Sequence, residues 1–390
     1  MPRVLTGLDV LLKRPGRYLP RRVRVGLICH QASVDGRGVH ILPLFRSIPA
    51  VRLTALFAPE HGFWGAAQDQ VPVGRTRDRS GLAVHSLYGA TRRPTDAMLK
   101  DLDVLVCDLQ DVGSRYYTFV WTMLLAMQTA SLRRIPFLVL DRPNPLGGAV
   151  MEGHVLDMAF ASFVGLAPVP VRHGLTIGEM ALFLNDRFRL NCDLAVVPMA
   201  RWNREMLFDQ TGLPWVMPSP NMPTLETAVV YPGSCLIEGT NLSEGRGTTR
   251  PFELIGAPYV EPHRLASHLA GLRLPGVFFR PCYFEPTFHK WMGKTCGGIQ
   301  LHVTDRASFL PYLTGLAVIR AARRLFPRDF RWRRPPYEYE KKKWPFDILC
   351  GTDRVRLDIE RGASPSMLRR RWSDLAPKFR SQFRRYFLYD

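Results

Sequence analysis

The sequence predicts an α/β fold: a parallel sheet wound on both faces by helices, followed by a smaller second α/β domain. Short, nearly continuous apolar runs alternate with helical patterns through the first 200 residues or so, as strands covered on both faces do. After about Pro232 the texture changes to a Gly-rich polar segment. The 390 residues also exceed the size at which one hydrophobic core usually stops growing. Two domains are therefore expected, 1–232 and 233–390.

Five runs are the strand candidates of the first domain: VRVGLICH (23–30), VRLTALFAPEH (51–61), DVLVCDLQ (103–110), PFLVLDRP (136–143) and DLAVVPM (193–199). Between them Tyr117–Arg134 has the pattern of an amphipathic helix. Ile177–Phe188 opens with Thr176 and Glu179 at the spacing of a capping box, in which each side chain satisfies a backbone N–H of the other. Strands alternating with helices give a parallel sheet covered on both sides. Beyond 232, a helix near 263–272, strand-like runs VFFRPCYFEP and GGIQLHVTD, and a long helix over about 307–326 follow. A basic Pro-aromatic loop then leads to Ser364, an N-cap candidate with Pro365 at the first helical position.

Composition excludes several classes. Hydrophobic residues at 46% and charged residues at 22% rule out a disordered tail protein, a coiled coil and a collagen-like fibre. The formal net charge is +19, and 45 of the 53 basic residues are Arg, whose planar fork suits an anionic partner. Residues 321–390 hold 19 basic and 9 acidic side chains, which admits nucleic-acid binding as an alternative. Phe379, Phe383, Tyr386 and Phe387 interleave with those charges, but at a helical spacing that favours a packing face. No nucleic-acid partner is therefore expected. The seven Cys are scattered without a C-x-x-C pair, as reduced core thiols in a reducing compartment are. The first twenty residues hold no apolar run of signal-peptide length, and no run reaches the roughly 18 residues of a membrane span. A cytoplasmic protein without membrane contact is expected. Dinucleotide, P-loop, zincin and nucleophile-elbow signatures are absent from the sequence, so no cofactor is expected.

Chemistry is legible where polar residues interrupt the apolar runs. In an open parallel sheet, ligands bind beyond the carboxyl ends of the strands. Glu60 and His61 end the second run; Asp108, Gln110 and Asp111 the third; Asp141, Arg142 and Asn144 the fourth. Glu60 stands between Pro59 and His61 among Phe57, Phe63 and Trp64, and an apolar setting favours the protonated carboxyl that a general acid needs. A second concentration, IEGTNLSEGRGTTRPFE, carries Glu238, Asn241, Glu244, Arg246 and Arg250 on a backbone freed by glycines. Upstream, MPSPNMPTLETAVVYPG stiffens Asn221 and Glu226 with prolines. His30, His61 and His173 with Asp108 give a metal-dependent hydrolase as an alternative, but each fits a hydrogen-bonding role equally well.

The ordered set APEHGFWG, SLYGATRRPT, DVLVCDLQDVGSRYYTF, LDRPNPLGG, VRHGLTIGEMA, MPSPNMPT and EGTNLSEGRGTTRPFE resembles the NamZ-type exo-β-N-acetylmuramidases, with PPYEYE and FDILCGT resembling their C-terminal domain. The resemblance runs from about Val23 to the end. It implies a Rossmann-like N-terminal domain with a smaller α/β domain, and a glycoside hydrolase acting in the cleft between them. Such an enzyme releases N-acetylmuramic acid from the non-reducing ends of peptidoglycan fragments. It also implies a muropeptide or disaccharide substrate; members of the family are often exported, but the first twenty residues here show no signal segment, so recycling of small muropeptides inside the cell is expected rather than attack on the intact wall. Glycoside hydrolysis needs an acid for the departing oxygen and usually a second carboxylate, unless the substrate's acetamide acts as nucleophile. Glu60 matches the glutamate of the family's P-E-H-G motif and is the expected acid; Glu244 is the expected second carboxylate, with Glu238 behind it. The lactyl carboxylate of the substrate calls for a guanidinium, for which Arg115, Arg246 and Arg250 are candidates. Asn144, Asn221 and Asn241 could bind hydroxyls or the acetamide, with His61 and Asp108 nearby. Tyr116, Tyr117 or Trp64 could stack on a sugar face. A non-catalytic binder of wall fragments is the remaining alternative.

Overall fold

The protein is described here by a computed structural model covering residues 2–49, 51–68, 71, 76–78 and 80–390. Seven strands form the first sheet: β1 (Val23–Cys29), β2 (Val51–Ala58), β3 (Thr76–Arg77), β4 (Ala83–Ser86), β5 (Val104–Asp108), β6 (Phe137–Leu140) and β7 (Leu194–Val197). Their order is β3-β4-β2-β1-β5-β6-β7. All pairs are parallel except the short β3, which lies antiparallel on β4. Without that edge strand the six parallel strands run 3-2-1-4-5-6 in chain order, a Rossmann-like sheet whose order reverses between β1 and β5. The register Ile28↔Phe57 and Cys29↔Asp108 brings the carboxyl ends of β1, β2 and β5 to one rim.

All five apolar runs are strands, each trimmed at its polar end. β2 stops at Ala58, so Glu60 and His61 occupy the turn beyond it. The sequence reading missed β4, whose four residues include His85 and give too short an apolar signal. It also misjudged the helix predicted over 117–134. This helix, Phe119–Leu132, is buried on nearly every face, with Thr122 and Thr129 inside as well. It has no polar side because the C-terminal half covers what would otherwise be exposed: one continuous core joins Ile28, Leu105 and Leu124 to Leu265, Leu316 and Leu349.

The second sheet is antiparallel in the order β8-β10-β9, with β8 (Leu254–Ala257), β9 (Val277–Phe284) and β10 (Cys296–Val303). Helix Leu225–Ser234 runs across the position near 232 and packs on Pro311–Leu325. The two backbones meet at Gly233 and Gly315, where a Cβ on either would strike the other's carbonyl or its neighbours; only glycine permits that approach. Ser364 caps its helix as expected, accepting from the Met367 N–H. The helix ends at Ser373 and a second one, Leu375–Phe383, follows. Phe383 and Tyr386 pack edge-on to Phe183, so the tail's aromatics serve the core. The chain end returns to the first sheet, where the Tyr389 hydroxyl donates to Asp141. Among the described residues no helix is long and apolar enough to cross a membrane, and all seven cysteines are free.

Candidate active site

At the sheet's switch point, where open sheets of this order usually take a ligand, side chains fill the rim. The Gln110 N–H donates to His30 Nε2 at 3.0 Å, which leaves the ring proton on Nδ1, 3.4 Å from Pro218 O. Burial holds this imidazole well below its ordinary pKa. Arg142 grips Asp108 with two nitrogens, at 2.5 and 2.8 Å, and its Nη2 also donates to Val34 O. Both ends of the pair are buried. Asp108 is thus a structural counter-ion beside the strand ends and does not line the cavity described next.

That cavity opens one strand over, beside the end of β2. Its volume is about 510 Å³ counted to the mouth. Both halves of the chain build its wall. Glu60, His61, Tyr117, Thr118 and Asn221 come from the first, and Glu238, Arg246, Tyr337 and Glu338 from the second. Glu60 is positioned by the turn after β2, where His61 and Gly62 take φ of +70° and +80°. The Thr118 hydroxyl, at the start of helix Phe119–Leu132, donates to Glu60 Oε2 at 2.6 Å. His61 turns Nδ1 to Ala67 O at 2.9 Å, so that nitrogen carries the proton. Asn221 donates from Nδ2 to Gln68 Oε1.

Opposite them, Glu238 sits on the 3₁₀ turn Cys235–Gly239. It accepts from Arg246 Nη1 at 2.7 Å and from the Tyr337 hydroxyl at 2.8 Å. Glu338 accepts from the Tyr88 hydroxyl at 3.4 Å. Tyr88 also bonds Glu60; burial first, and then the two carboxylates, hold its phenol proton far above the ordinary range. Three carboxyl groups, one guanidinium and the hydroxyls of Thr118 and Tyr337 therefore meet around one cavity, with Tyr88 bonded to two of the carboxyls from behind. Glu338, Tyr88, Thr118 and Tyr337 were not singled out by the sequence reading, although SLYGATRRPT and PPYEYE contain three of them.

The remaining expected site residues stand elsewhere. Glu244 lies behind the cavity wall, buried with Lys290 Nζ at 2.8 Å, Arg246 Nη1 at 3.1 Å and His289 Nδ1 at 3.3 Å. Against the penalty of burial, Lys290, then His289 and Arg246, hold its carboxyl well below the usual range. Its contribution to stability is thus complete above the ordinary carboxylate pKa and is lost as pH falls below it. Glu244→Gln should flatten the acid limb of Tm against pH; an unchanged limb would refute that ion cluster. Arg115 is buried and gives its nitrogens to the carbonyls of His154, Val169 and Leu349, tying the two halves together. Asn144 braces its own loop through Leu175 O and the Leu146 N–H. Asn241 is held by Asp329 O, Tyr259 and the Arg331 N–H. Arg250 is half-exposed and pairs with Glu253 on another groove. Tyr116 lines the cavity with its hydroxyl committed to Pro232 O, and Trp64 is exposed beside His40. Among the described residues no three His, Cys, Asp or Glu converge as metal ligands; His30, His61 and His173 each serve a separate loop.

Known proteins share this architecture end to end. Residues 25–226 match the N-terminal family model of the exo-β-N-acetylmuramidase NamZ and residues 229–389 its C-terminal model. The peptidoglycan β-N-acetylmuramidase NamZ of Bacillus subtilis (strain 168) is 46% identical over 389 residues, covering 100% of this chain and 92% of its own length. Two crystal structures of DUF1343 family proteins from Bacteroides fragilis NCTC 9343 superpose with TM-scores of 0.89 and 0.77, at 36% and 30% identity. Each covers 100% of this chain and 99% of its own. With both family models spanning the fold and the cavity built from both of them, the chain belongs to the NamZ family of exo-β-N-acetylmuramidases.

Proposed function

We propose that the cavity cleaves the terminal β-N-acetylmuramic acid unit from peptidoglycan fragments, with Glu60 as proton donor to the departing oxygen and Glu238 as the second carboxylate. The chain is a glycoside hydrolase, an exo-acting β-N-acetylmuramidase like its curated relative. The observation that carries the assignment of roles is that Glu60 and Glu238 reach one cavity from the two halves of the chain. Two carboxyls flanking a glycosidic bond are what its hydrolysis needs. Glu238 replaces Glu244 in this reading because Glu244 is enclosed by Lys290, Arg246 and His289 behind the wall. Thr118 anchors the Glu60 carboxyl through Oε2, so the donor's orientation is set before the sugar arrives. The second carboxylate serves either as base or nucleophile, or orients the substrate's acetamide if that group attacks.

Arg246 supplies the charge that distinguishes muramic acid from glucosamine. It lines the cavity, is aligned by Glu238 and Glu244, and lies 4.8 Å over the Phe252 ring. A guanidinium so held keeps its charge and reads a carboxylate by geometry. The family models that span both halves are those of an exo-acting enzyme, which supports release from a chain end. Seven free cysteines support a reducing compartment and hence recycling of small muropeptides in the cytoplasm. The test compares chromogenic β-N-acetylmuraminide and β-N-acetylglucosaminide. The muraminide should release its chromophore and the glucosaminide should lag by about tenfold or more, as expected when a charge partner is left unpaired. Equal rates would remove Arg246 from substrate selection, and release from neither would overturn the reaction assigned.

A further inference from the structure

The turn Tyr337–Glu340 is closed in both directions, Tyr337 N–H to Glu340 O at 2.9 Å and Glu340 N–H to Tyr337 O at 2.8 Å. Its two central residues, Glu338 and Tyr339, have φ of +45° and +65°. Two-residue turns with both centres in the left-handed region are normally filled by Asn and Gly, because a larger side chain resists that backbone. Keeping Glu and Tyr there is a local cost, and such strain concentrates where side chains have a task. Glu338 has one: it is 8% exposed and forms part of the cavity wall.

Tyr339 packs against Tyr88 but is not part of that wall. It is 50% exposed, with its ring 5.9 Å from that of Tyr88 and 6.4 Å from that of Phe163. Arg92, itself exposed, stacks on this patch with its guanidinium 4.6 Å from the Tyr339 centroid and 5.5 Å from that of Phe163. Among the described residues no Asp or Glu forms a salt bridge with Arg92. An aromatic face whose Tyr339 follows Glu338 of the cavity wall, and a cation that makes no salt bridge among the described residues, thus stand together. An exo-acting glycosidase holds the terminal sugar inside and lets the rest of its substrate run outward over the surface that adjoins the wall, which on the Glu338 side is this one.

We propose that Tyr339 and Arg92 form the subsite for the departing part of the substrate. Tyr339 stacks on the sugar next to the cleaved bond, and Arg92 pairs with a carboxylate borne by the unit after it. This rests on the muramidase reading of the cavity. The carboxylate comes either from a lactyl ether or from a peptide stem; the chemistry seen by Arg92 is the same.

The experiment uses the full chain and four substrates: a chromogenic muraminide, the disaccharide with N-acetylglucosamine, and the trisaccharide ending in muramic acid with and without its peptide. Tyr339→Asn keeps a residue suited to the left-handed turn. It should lower kcat/KM on the disaccharide relative to the chromogenic substrate by about three- to tenfold, the range of one lost aromatic contact. Arg92→Gln should lower the trisaccharide-to-disaccharide ratio by a similar factor. A fall confined to the peptide-bearing trisaccharide assigns the carboxylate to the stem, and a fall confined to the peptide-free one assigns it to the lactyl group, whose carboxyl becomes an amide once the stem is attached. Unchanged ratios in both variants overturn the subsite, as does an equal loss on all four substrates, which would make the turn a support for Glu338. Titration calorimetry with the departing fragment, N-acetylglucosaminyl-N-acetylmuramic acid, tests binding separately. If the wild type binds that fragment and both variants bind it more weakly, the subsite stands even where turnover fails and the muramidase reading falls.

Discussion

Glu60→Gln should lower kcat on a chromogenic β-N-acetylmuraminide by about a hundredfold or more, the contribution of a positioned general acid. The amide matches the carboxyl in shape, and its oxygen still accepts from the Thr118 hydroxyl that now bonds Oε2 at 2.6 Å. The turn after β2, with its left-handed His61 and Gly62, is untouched. Melting temperature should therefore stay close to that of the wild type, and the loss should appear in kcat more than in KM, since an amide binds but does not deliver a proton. A good leaving group needs less protonation, so the deficit should shrink on a dinitrophenyl aglycone and grow on the disaccharide. Wild-type turnover by Glu60→Gln on the disaccharide would end its candidacy as the acid. Glu238→Gln, compared in the same assay, separates the two halves of the site: a deficit insensitive to the leaving group places Glu238 in a step other than protonation.

Much of the fold was legible because a strand covered on both faces must be apolar throughout. Residues 104–108 and 137–140 are buried throughout, and 23–29 except at Arg24, whose guanidinium pairs with Asp103 at the start of the strand. Where burial was less complete the reading failed, as at β4, four residues long with His85 inside. Glu60, Asn221, Glu238 and Arg246 were readable for a related reason: they interrupt apolar runs or ride on Gly- and Pro-rich loops, whose backbone does not itself demand a charged residue. Asp108, Arg115 and Asn144 satisfied the same criterion and stand elsewhere. A polar group at a strand end can face a ligand or tie one loop to another, and sequence does not record which way it turns. Arg115 shows the difficulty, since its three carbonyl partners lie 39, 54 and 234 residues away. Glu338 and Tyr88 were hidden more deeply. Their contact joins positions 250 residues apart, and the turn that presents Glu338 carries none of the Asn or Gly that announces left-handed backbone.

The second large effect concerns stability. Arg142→Met should destabilise the fold by about 3–5 kcal/mol, because it strands a buried carboxylate. Asp108 ends β5 fully buried, and its two oxygens receive Arg142 Nε at 2.5 Å and Nη2 at 2.8 Å. The same nitrogen Nη2 serves Val34 O at 2.9 Å, so the methionine also leaves a buried carbonyl without its donor. The double variant Arg142→Met with Asp108→Asn should recover part of the loss, since removing both charges abolishes the uncompensated one while keeping the volume. Denaturant titration monitored by circular dichroism reads both. Activity per folded molecule supplies the contrast with the site: the pair sits beside β1 and β5 and not on the cavity wall. The double variant should therefore fold less stably yet turn over near the wild-type rate below its transition. A double variant no more stable than Arg142→Met would show that the pair's geometry, and not the stranded charge, carries the energy. One that is stable but inactive would return Asp108 to the substrate site from which its buried ion pair now separates it.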